Sequence, residues 1–307
     1  MFAYAVRRLG SAIPTLFIII TIAFFMMRMA PGGPFDRERQ LPPEIEANIL
    51  KAYNLDKPIH EQYIDYMKNI LQGDFGPSYK YLDFTVNDLI KAGFPVSLRL
   101  GMAAIFLAIV FGVTTGTIAA LNQNSTFDYC VMGMAMTGIV IPNFVMAPLL
   151  ALVFGVYLSW LPVAGWGGGA LQYSILPVVT LALPQIAYVA RLTRGSMVET
   201  MHSNHIRTAR AKGLTEQIVV VRHALKGGLL PVVSYLGPAT AAVITGSVVI
   251  ESIFDVPGIG RYFVNGALNR DYPVVMGVVI FYAVLIICLN LIVDLIYGFL
   301  DPRVKVE

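Results

Sequence analysis

The sequence predicts an all-α membrane protein with six transmembrane helices, and three observations support this prediction. Hydrophobic residues make up 56% of the 307 residues, whereas charged residues make up only 13%. Soluble domains carry about 25% charged residues, so the chain has little of the charge that keeps a domain in water. The mean hydropathy is +0.68. The charges are also confined to segments between long apolar runs, as a bilayer requires.

Five charge-free runs define the predicted spans. About 20 apolar residues cross the hydrocarbon core as a helix, so each run of ordinary length corresponds to one span. The run over residues 129–190 is 62 residues long. Its Gly-, Pro- and Trp-rich stretch at 159–169 predicts a loop at the membrane interface, which divides it into helices near 130–157 and 173–190. The single-span runs are Leu9–Met27, Leu100–Phe127, Gly227–Ile250 and Tyr272–Val293.

The distribution of basic residues predicts the orientation. Loop 191–226 contains seven Lys and Arg residues against two acids, whereas segment 30–97 contains seven against ten. Lys and Arg favour the cytoplasmic side of a membrane, and an even number of spans places both termini together. We therefore expect a multi-pass inner (plasma) membrane protein with both termini in the cytoplasm.

This topology divides the chain into four parts. Residues 1–29 form a short cytoplasmic stub and the first span, and residues 30–97 form a small extracytoplasmic segment. Residues 98–299 form a core of five spans that includes loop 191–226, and residues 300–307 form a cytoplasmic tail. Within segment 30–97, Pro and Glu at 42–44 predict one helix start, and Pro58 predicts a second helix that ends at Gly73.

The sequence lacks the motifs of the common catalytic and nucleotide sites. There is no Gly-x-x-x-x-Gly-Lys-Ser/Thr phosphate loop and no His-Glu-x-x-His motif, and no nucleophile stands near a base. His202 and His205 have a spacing that can hold a metal on a helix, but no third ligand is near. We expect no catalytic residue, no metal and no cofactor bound by this chain. Its net charge of +3 does not suggest nucleic acid.

Two places in the sequence are candidate functional sites. Asn143 follows Pro142 within an apolar run, where the proline should bend the helix. Asn143 could line a substrate cavity or could pack between helices. The second candidate is the centre of loop 191–226, which comprises Arg207, Thr208, Ala209, Arg210, Ala211, Lys212 and Gly213.

The second candidate would present a bare strip if it is a helix. Ala209 and Gly213 are four residues apart and would share one face, with Arg207 and Arg210 beside it. Such a helix can insert into a groove on another protein, where the guanidinium groups can pair with carboxylates. The basic residues could instead only orient the chain and contact anionic lipid.

Several motifs resemble the inner-membrane permeases of binding-protein-dependent ABC importers, within the peptide and nickel branch and most of all the B-type subunits of oligopeptide permeases. The resemblance extends over essentially the whole chain. It rests on Ala30-Pro31-Gly32, Gly73-Asp74-Phe75-Gly76, Thr208-Ala209-Arg210-Ala211-Lys212-Gly213-Leu214, Arg222-His223-Ala224-Leu225-Lys226, Leu230-Pro231, Pro257-Gly258-Ile259-Gly260, Arg270-Asp271-Tyr272-Pro273 and Asp301-Pro302-Arg303.

The resemblance implies a type I ABC importer permease that works by alternating access. Its expected partners are a C-type permease subunit, two cytoplasmic ATPase subunits that bind ATP and Mg, an extracytoplasmic peptide-binding protein, the peptide substrate and membrane lipid. Residues 207–213 would form the ATPase-coupling helix. The family's general signature has Glu where this chain has Arg207, so the role of that Glu does not transfer.

The resemblance leaves other functions to be weighed. Dipeptide, nickel or glutathione transport would fit the same branch. An ion-driven secondary transporter would need acids within the membrane or matching broken helices, and a membrane enzyme would need the catalytic sets that are missing.

Overall fold

The computed structural model describes residues 2–29, 51 and 53–300, and this part of the chain is helical apart from loops and one isolated bridge between Pro77 and Thr85. The predicted helix start at 42–44 and the tail 301–307 lie outside it. The long helices are α1 (Phe2–Met29), α3 (Val86–Leu121), α6 (Leu171–Met201), α10 (Leu230–Gly246) and α13 (Tyr272–Leu300). The shorter helices are α2 (Ile59–Leu71), α4 (Thr126–Val140), α5 (Asn143–Leu150), α7 (Asn204–Ala211), α8 (Glu216–Ile218), α9 (Leu225–Gly228), α11 (Val248–Ile253) and α12 (Ile259–Leu268).

The predicted spans agree with the helices that are long and apolar enough to cross a membrane. Five of them are present in the described residues, and one bent pair of helices raises the number to six if that pair is a single span. The five are Gly10–Met29, Val86–Leu121, Leu171–Met201, Leu230–Ile253 and Tyr272–Val293. The prediction of an all-α membrane protein is confirmed.

The helix predicted near 130–157 is divided into two helices, because the chain bends by 104° between Thr126–Val140 and Asn143–Tyr157. Ile141 is extended with ψ 117°, as expected of a residue that precedes proline. Pro142 then begins the next helix from an extended conformation. After α5 the helix continues as a π-helical segment, Ala151–Tyr157. The bend predicted at Pro142 is therefore present, and it is sharp enough to separate two helices.

Helix α3 begins earlier than the apolar run that predicted it. Thr85 and Asp88 form a capping box, in which the Thr85 hydroxyl accepts the Asp88 N–H at 3.2 Å and the Asp88 carboxylate accepts the Thr85 N–H at 3.1 Å. Asp88, Lys91 and Arg99 all lie on the exposed side of α3. These charges hid the first turns from a search for charge-free sequence, so the boundary predicted at 97/98 falls inside a helix.

Helices α3 and α6 pack most closely, because glycines remove the side chains between them. A Cβ at Gly112 would lie 2.7 Å from the side chain of Val189, and one at Gly116 would lie 2.4 Å from the carbonyl oxygen of Ala190. Small residues allow two helices to approach in a membrane, where lipid gives no hydrophobic drive for association. The two helices form the centre of the bundle, and α4 and α10 pack beside them.

The loops divide between two ends of the bundle. The basic end holds residues 122–125 and 202–229, and the opposite end holds residues 53–85, 158–170 and 254–271. Helix α6 continues to Met201, so Arg191 and Arg194, which the sequence assigned to a loop, lie on a helix. A search for charge-free apolar runs cannot detect this extension of the helix, because its last turns carry charged residues.

Candidate functional site

Helix α7 is a two-turn amphipathic helix at the basic end, and it contains most of the predicted coupling residues. Ile206 and Ala209 form its inner face and are 0% and 5% exposed. They belong to a cluster of buried residues that includes Met197 of α6, Ala120 of α3 and Val219. A spacing of three residues places both side chains on one face. Helix α7 is therefore packed against the ends of two spans.

The outer face of α7 carries the residues that could meet a partner. Arg207, Thr208, Ala211 and Lys212 are exposed. Within the described part of the chain, no ion pair engages Arg207 or Lys212. This face presents positive charge beside the small side chain of Ala211.

Gly213 does not extend the helix, so the predicted bare strip of Ala209 and Gly213 is wrong. The helix ends at Ala211, and Gly213 has φ +76°. The Gly213 N–H donates to the carbonyl of Arg210 at 2.9 Å, and the Leu214 N–H donates to that of Ala209 at 3.4 Å. This is the Schellman arrangement, in which glycine supplies the left-handed conformation. Ala209 faces the chain's own core instead of a partner's groove.

Arg210 is engaged within the chain. Its Nε and Nη2 donate to Oε1 and Oε2 of Glu216 at 2.7 and 3.1 Å, and both side chains are exposed. The guanidinium lowers the pKa of the Glu216 carboxyl, first through its hydrogen bond and also through its charge, although slight burial opposes this. The pair bridges the turn at Gly213. Arg207 and Arg210 are therefore not equivalent, because only Arg207 is left to face a partner.

Helix α6 is attached to the segment that follows α7. The Ser196 hydroxyl donates to the carbonyl of Gly228, at the end of α9. A Cβ at Gly228 would lie 2.5 Å from the sulfur of Met197, and one at Gly227 would lie 3.5 Å from a methyl group of Thr200. The last turns of α6 thus contact both α7 and α9.

An ion pair attaches the start of α4 to α6, and nothing in the sequence pattern pointed to it. Arg194 Nε and Nη2 donate to Asp128 Oδ1 and Oδ2, both at 2.6 Å. The Asn124 N–H donates to the same carboxylate at 2.9 Å. The Asp128 side chain is 1% exposed. Its partner is 66 residues away in sequence, so periodicity could not associate them.

Asn143, the candidate for the substrate pathway, is the first residue of α5 after the bend at Pro142. Asn143 as a whole is partly buried. Its side-chain oxygen Oδ1 is fully buried and has no hydrogen-bond partner among the described residues. A buried acceptor without a donor is unfavourable. The position suits a residue that gains a partner from substrate or from another subunit, and the role in the pathway stays a prediction.

At the opposite end, Glu251 organises the Pro257-Gly258-Ile259-Gly260 motif. This carboxylate is 0% exposed. It accepts hydrogen bonds from the hydroxyls of Ser97 and Ser247 at 2.6 and 2.5 Å and from the Gly260 N–H at 2.8 Å. A Cβ at Gly258 would lie 2.3 Å from the carboxylate. Glycine is needed there because the loop closes directly over a buried acid.

Asp271 is a second buried carboxylate that accepts several hydrogen bonds, and it is also 0% exposed. Its carboxylate accepts the hydroxyl of Ser78 at 2.5 Å and the N–H groups of Tyr79 and Lys80 at 3.1 and 3.2 Å. It thereby ties the segment before α3 to the start of α13. The sequence marked Asp271 only as part of the motif Arg270-Asp271-Tyr272-Pro273. Its hydrogen-bond partners could not be foreseen, because they lie more than 190 residues earlier.

No group of three or more His, Cys, Asp or Glu residues that could hold a metal occurs within residues 2–29, 51 and 53–300. His202 Nδ1 lies 2.7 Å from the carbonyl oxygen of Val198, and His205 Nδ1 lies 2.9 Å from the hydroxyl of Ser203. Both imidazoles are engaged locally.

The family models identify the class of protein to which this helical bundle belongs. Residues 112–306 match the family described as "Binding-protein-dependent transport system inner membrane component", and residues 1–100 match its N-terminal family. The chain belongs to this family of inner-membrane transport components. The resemblance inferred from the motifs is thereby confirmed, and the chain is a multi-pass inner membrane protein.

Among individual proteins, the chain is similar to "Oligopeptide transport system permease protein OppB" of Escherichia coli K12. It is 58% identical to that protein over 305 residues, which cover 99% of this chain and all of the relative. It is also 45% identical to "Dipeptide transport system permease protein DppB" of Bacillus subtilis, with 100% of this chain and 99% of the relative covered.

Solved structures share the fold at low sequence identity. The MetNI methionine ABC transporter, in an inward-facing conformation, aligns with a TM-score of 0.60 and 16% identity over 69% of this chain and 96% of the solved chain. A crystal structure of an amino acid ABC transporter with histidines aligns with a TM-score of 0.52 and 15% identity. The alignment covers 71% of this chain and 95% of the solved chain. The architecture is that of the type I ABC importer permeases.

Proposed function

We propose that this chain is a permease subunit of an ATP-driven oligopeptide importer and forms half of its translocation pathway. The observation that carries the proposal is the 58% identity with OppB over the whole length of both proteins. The chain itself is no enzyme under this proposal, because ATP and Mg bind to partner subunits.

Helix α7 is the proposed contact with the ATPase subunits. Its inner face is anchored to α6 and α3 through Ile206 and Ala209, while Arg207, Thr208 and Lys212 are exposed. A partner that moves α7 moves a helix of 31 residues with it, which at 1.5 Å per residue is about 46 Å long. This geometry suits transmission of force across a membrane.

The full assembly contains two different permease subunits, two cytoplasmic ATPase subunits and an extracytoplasmic peptide-binding protein. In the proposed cycle, ATP binding closes the ATPase pair and α7 transmits the movement, so the spans switch from an inward-facing to an outward-facing arrangement. Peptide enters the cavity from the binding protein and is released inside after hydrolysis. Both chain termini and the basic end face the cytoplasm, in agreement with the excess of Lys and Arg in loop 191–226.

Oligopeptide is favoured over dipeptide as the substrate, because identity falls from 58% with OppB to 45% with DppB. Nickel and glutathione remain alternatives from the same branch. A purified binding protein of the system would distinguish them through the ligands that it retains.

Peptide uptake into proteoliposomes tests the proposal. The complete complex, with binding protein and labelled peptide on one side, is supplied with ATP on the other. We expect accumulation that requires hydrolysable ATP and stops when the ATPase subunits are omitted. Uptake by the permease subunits alone, driven by an ion gradient without ATP, would refute the proposal and favour a secondary transporter.

A further inference from the structure

The Asp128–Arg194 pair is the most enclosed ion pair among the described residues. Two parallel hydrogen bonds of 2.6 Å join the guanidinium to the carboxylate, a geometry that restricts both side chains. The Asp128 side chain is 1% exposed and the Arg194 side chain 26%, whereas both members of the pairs Lys57–Asp65, Arg210–Glu216 and Arg261–Asp255 are at least 37% exposed.

The pair joins two elements that have different attachments at the basic end. Arg194 lies one turn before Met197, the α6 residue against which α7 packs. Asp128 lies in the first turn of α4, which leads to the bend at Pro142 and to Asn143. A third contact of the same carboxylate, from the Asn124 N–H, also fixes the loop before α4.

Direct packing between the start of α4 and residues 207–213, the proposed coupling segment, is limited. A groove of about 740 Å³ separates the end of α3 and the loop before α4, at residues 120–125, from Met201, Arg210 and Glu216. Farther along, α4 touches α6 through Gly138, whose Cβ would lie 3.3 Å from the Cβ of Ala187. Among the described residues at the basic end, the ion pair is a defined polar connection from α6 to α4.

We propose that the Asp128–Arg194 pair is a positioning pair that transmits the movement of α7 and α6 to α4, and thereby changes the bend at Pro142 during transport. This inference rests on the proposed function. A packed small-residue contact such as that at Gly138 can slide, but the bidentate pair moves as one unit because its separation leaves the enclosed Asp128 carboxylate without its partner. When α6 is displaced, α4 follows at Asp128.

The first test measures peptide transported per ATP hydrolysed by the complete complex in proteoliposomes. Asp128→Asn removes the charge while it keeps the side-chain size, and Arg194→Lys keeps the charge but loses the second hydrogen bond. We expect Asp128→Asn to lower the ratio about tenfold while ATP hydrolysis and the amount of assembled complex stay near those of the original chain. Arg194→Lys should give an intermediate ratio.

The charge-exchanged variant Asp128→Arg/Arg194→Asp should restore most of the ratio. An exchange of Lys57 and Asp65, an exposed pair at the opposite end, serves as the matched control and should leave the ratio unchanged. An unchanged ratio in Asp128→Asn would overturn the inference. So would a parallel loss of assembled complex, hydrolysis and uptake, since that pattern indicates a role in folding alone. Peptide uptake by the original complex without ATP would instead refute the proposed function.

A second measurement avoids any dependence on the exchanged charges. Asp128→Cys/Arg194→Cys is made in a background in which the exposed cysteines Cys130 and Cys288 are replaced by serine. The uncross-linked protein should hydrolyse ATP with little uptake, and a short reducible thiol cross-linker should restore uptake in the same sample. A cross-link that forms without raising the ratio would overturn the inference.

Discussion

Gly213 offers a sharp test of how the coupling segment is built. Its φ of +76° lies in the left-handed region, and nothing lies within 4 Å of the Cβ that a substitution would add. Space is therefore available at this position in the chain alone, and the backbone conformation is what requires glycine. The substitutions Gly213→Ala, Gly213→Asn and Gly213→Val separate these two factors.

The expected magnitude follows from the backbone. A residue with a Cβ in the left-handed conformation costs about 1–2 kcal/mol, which lowers the population of this helix end by a factor of about 5–30. Asparagine tolerates the conformation better than alanine, and a β-branched residue tolerates it least. We expect the destabilisation of this helix end to be largest for Gly213→Val, smaller for Gly213→Ala and smallest for Gly213→Asn, which should be closest to the original chain.

The assay is again peptide uptake per ATP hydrolysed in the complete complex, together with trypsin cleavage after Lys212. The loss of uptake and the rate of cleavage should both be greatest for Val and least for Asn. Loss of the helix end exposes the turn to trypsin and weakens the proposed coupling surface. If Gly213 instead made room for a partner's groove, the larger Asn would harm uptake more than Ala. That order would refute the backbone explanation and support the steric one.

Three further changes test other parts of the account. Ile206→Ala should destabilise the basic end by about 2–5 kcal/mol, because it removes a fully buried side chain, and should lower the thermal unfolding midpoint of the complex. Glu251→Ala should cost about 3 kcal/mol or more, since it leaves two hydroxyls and one N–H without their acceptor, measured in the same way. The Arg210–Glu216 interaction should be complete above the ordinary carboxyl pKa of 4.5 and be lost as the pH falls through the lowered pKa of Glu216. Glu216→Gln should reproduce that loss at pH 7 as faster cleavage after Lys212.

Exposed neighbours provide the controls. Thr208→Ala and Ser252→Ala alter exposed side chains and should change unfolding by no more than about 0.5 kcal/mol. An Ile206→Ala or Glu251→Ala protein as stable as these controls would contradict the assigned packing. Equal cleavage of the original chain and Glu216→Gln at pH 7 would show that the exposed pair does not hold the turn.

The sequence predicted the approximate positions of the spans because the bilayer demands long apolar runs. It missed the helix ends, since Asp88 and Lys91 in α3 and Arg191 and Arg194 in α6 interrupt those runs while the helices continue. Pro142 predicted the bend correctly, because proline acts locally on its own backbone. The angle of 104° depends on what surrounds both halves, and a local signal does not contain it.

The coupling role of residues 207–213 stays a prediction, but the interpretation of Ala209 and Gly213 as one bare strip was wrong. The spacing of Ala209 and Gly213 assumed an unbroken helix, whereas a glycine at this place often ends one. The buried acids Asp128, Glu251 and Asp271 were beyond sequence reasoning, because each of them pairs with a residue that is 66 or more positions away. Only folding brings such partners together.

A cross-linking measurement tests whether ATP-driven movement enters this chain at α7, as proposed. Thr208→Cys is placed on the exposed face of α7, with Cys130 and Cys288 replaced by serine, and Leu82→Cys marks the opposite end, where its side chain is 78% exposed. In the assembled complex we predict that Thr208→Cys cross-links to an ATPase subunit, with a yield that changes when ATP binds, and that Leu82→Cys does not. Cross-linking of Leu82→Cys to the ATPase, with none from Thr208→Cys, would contradict both the coupling role and the orientation.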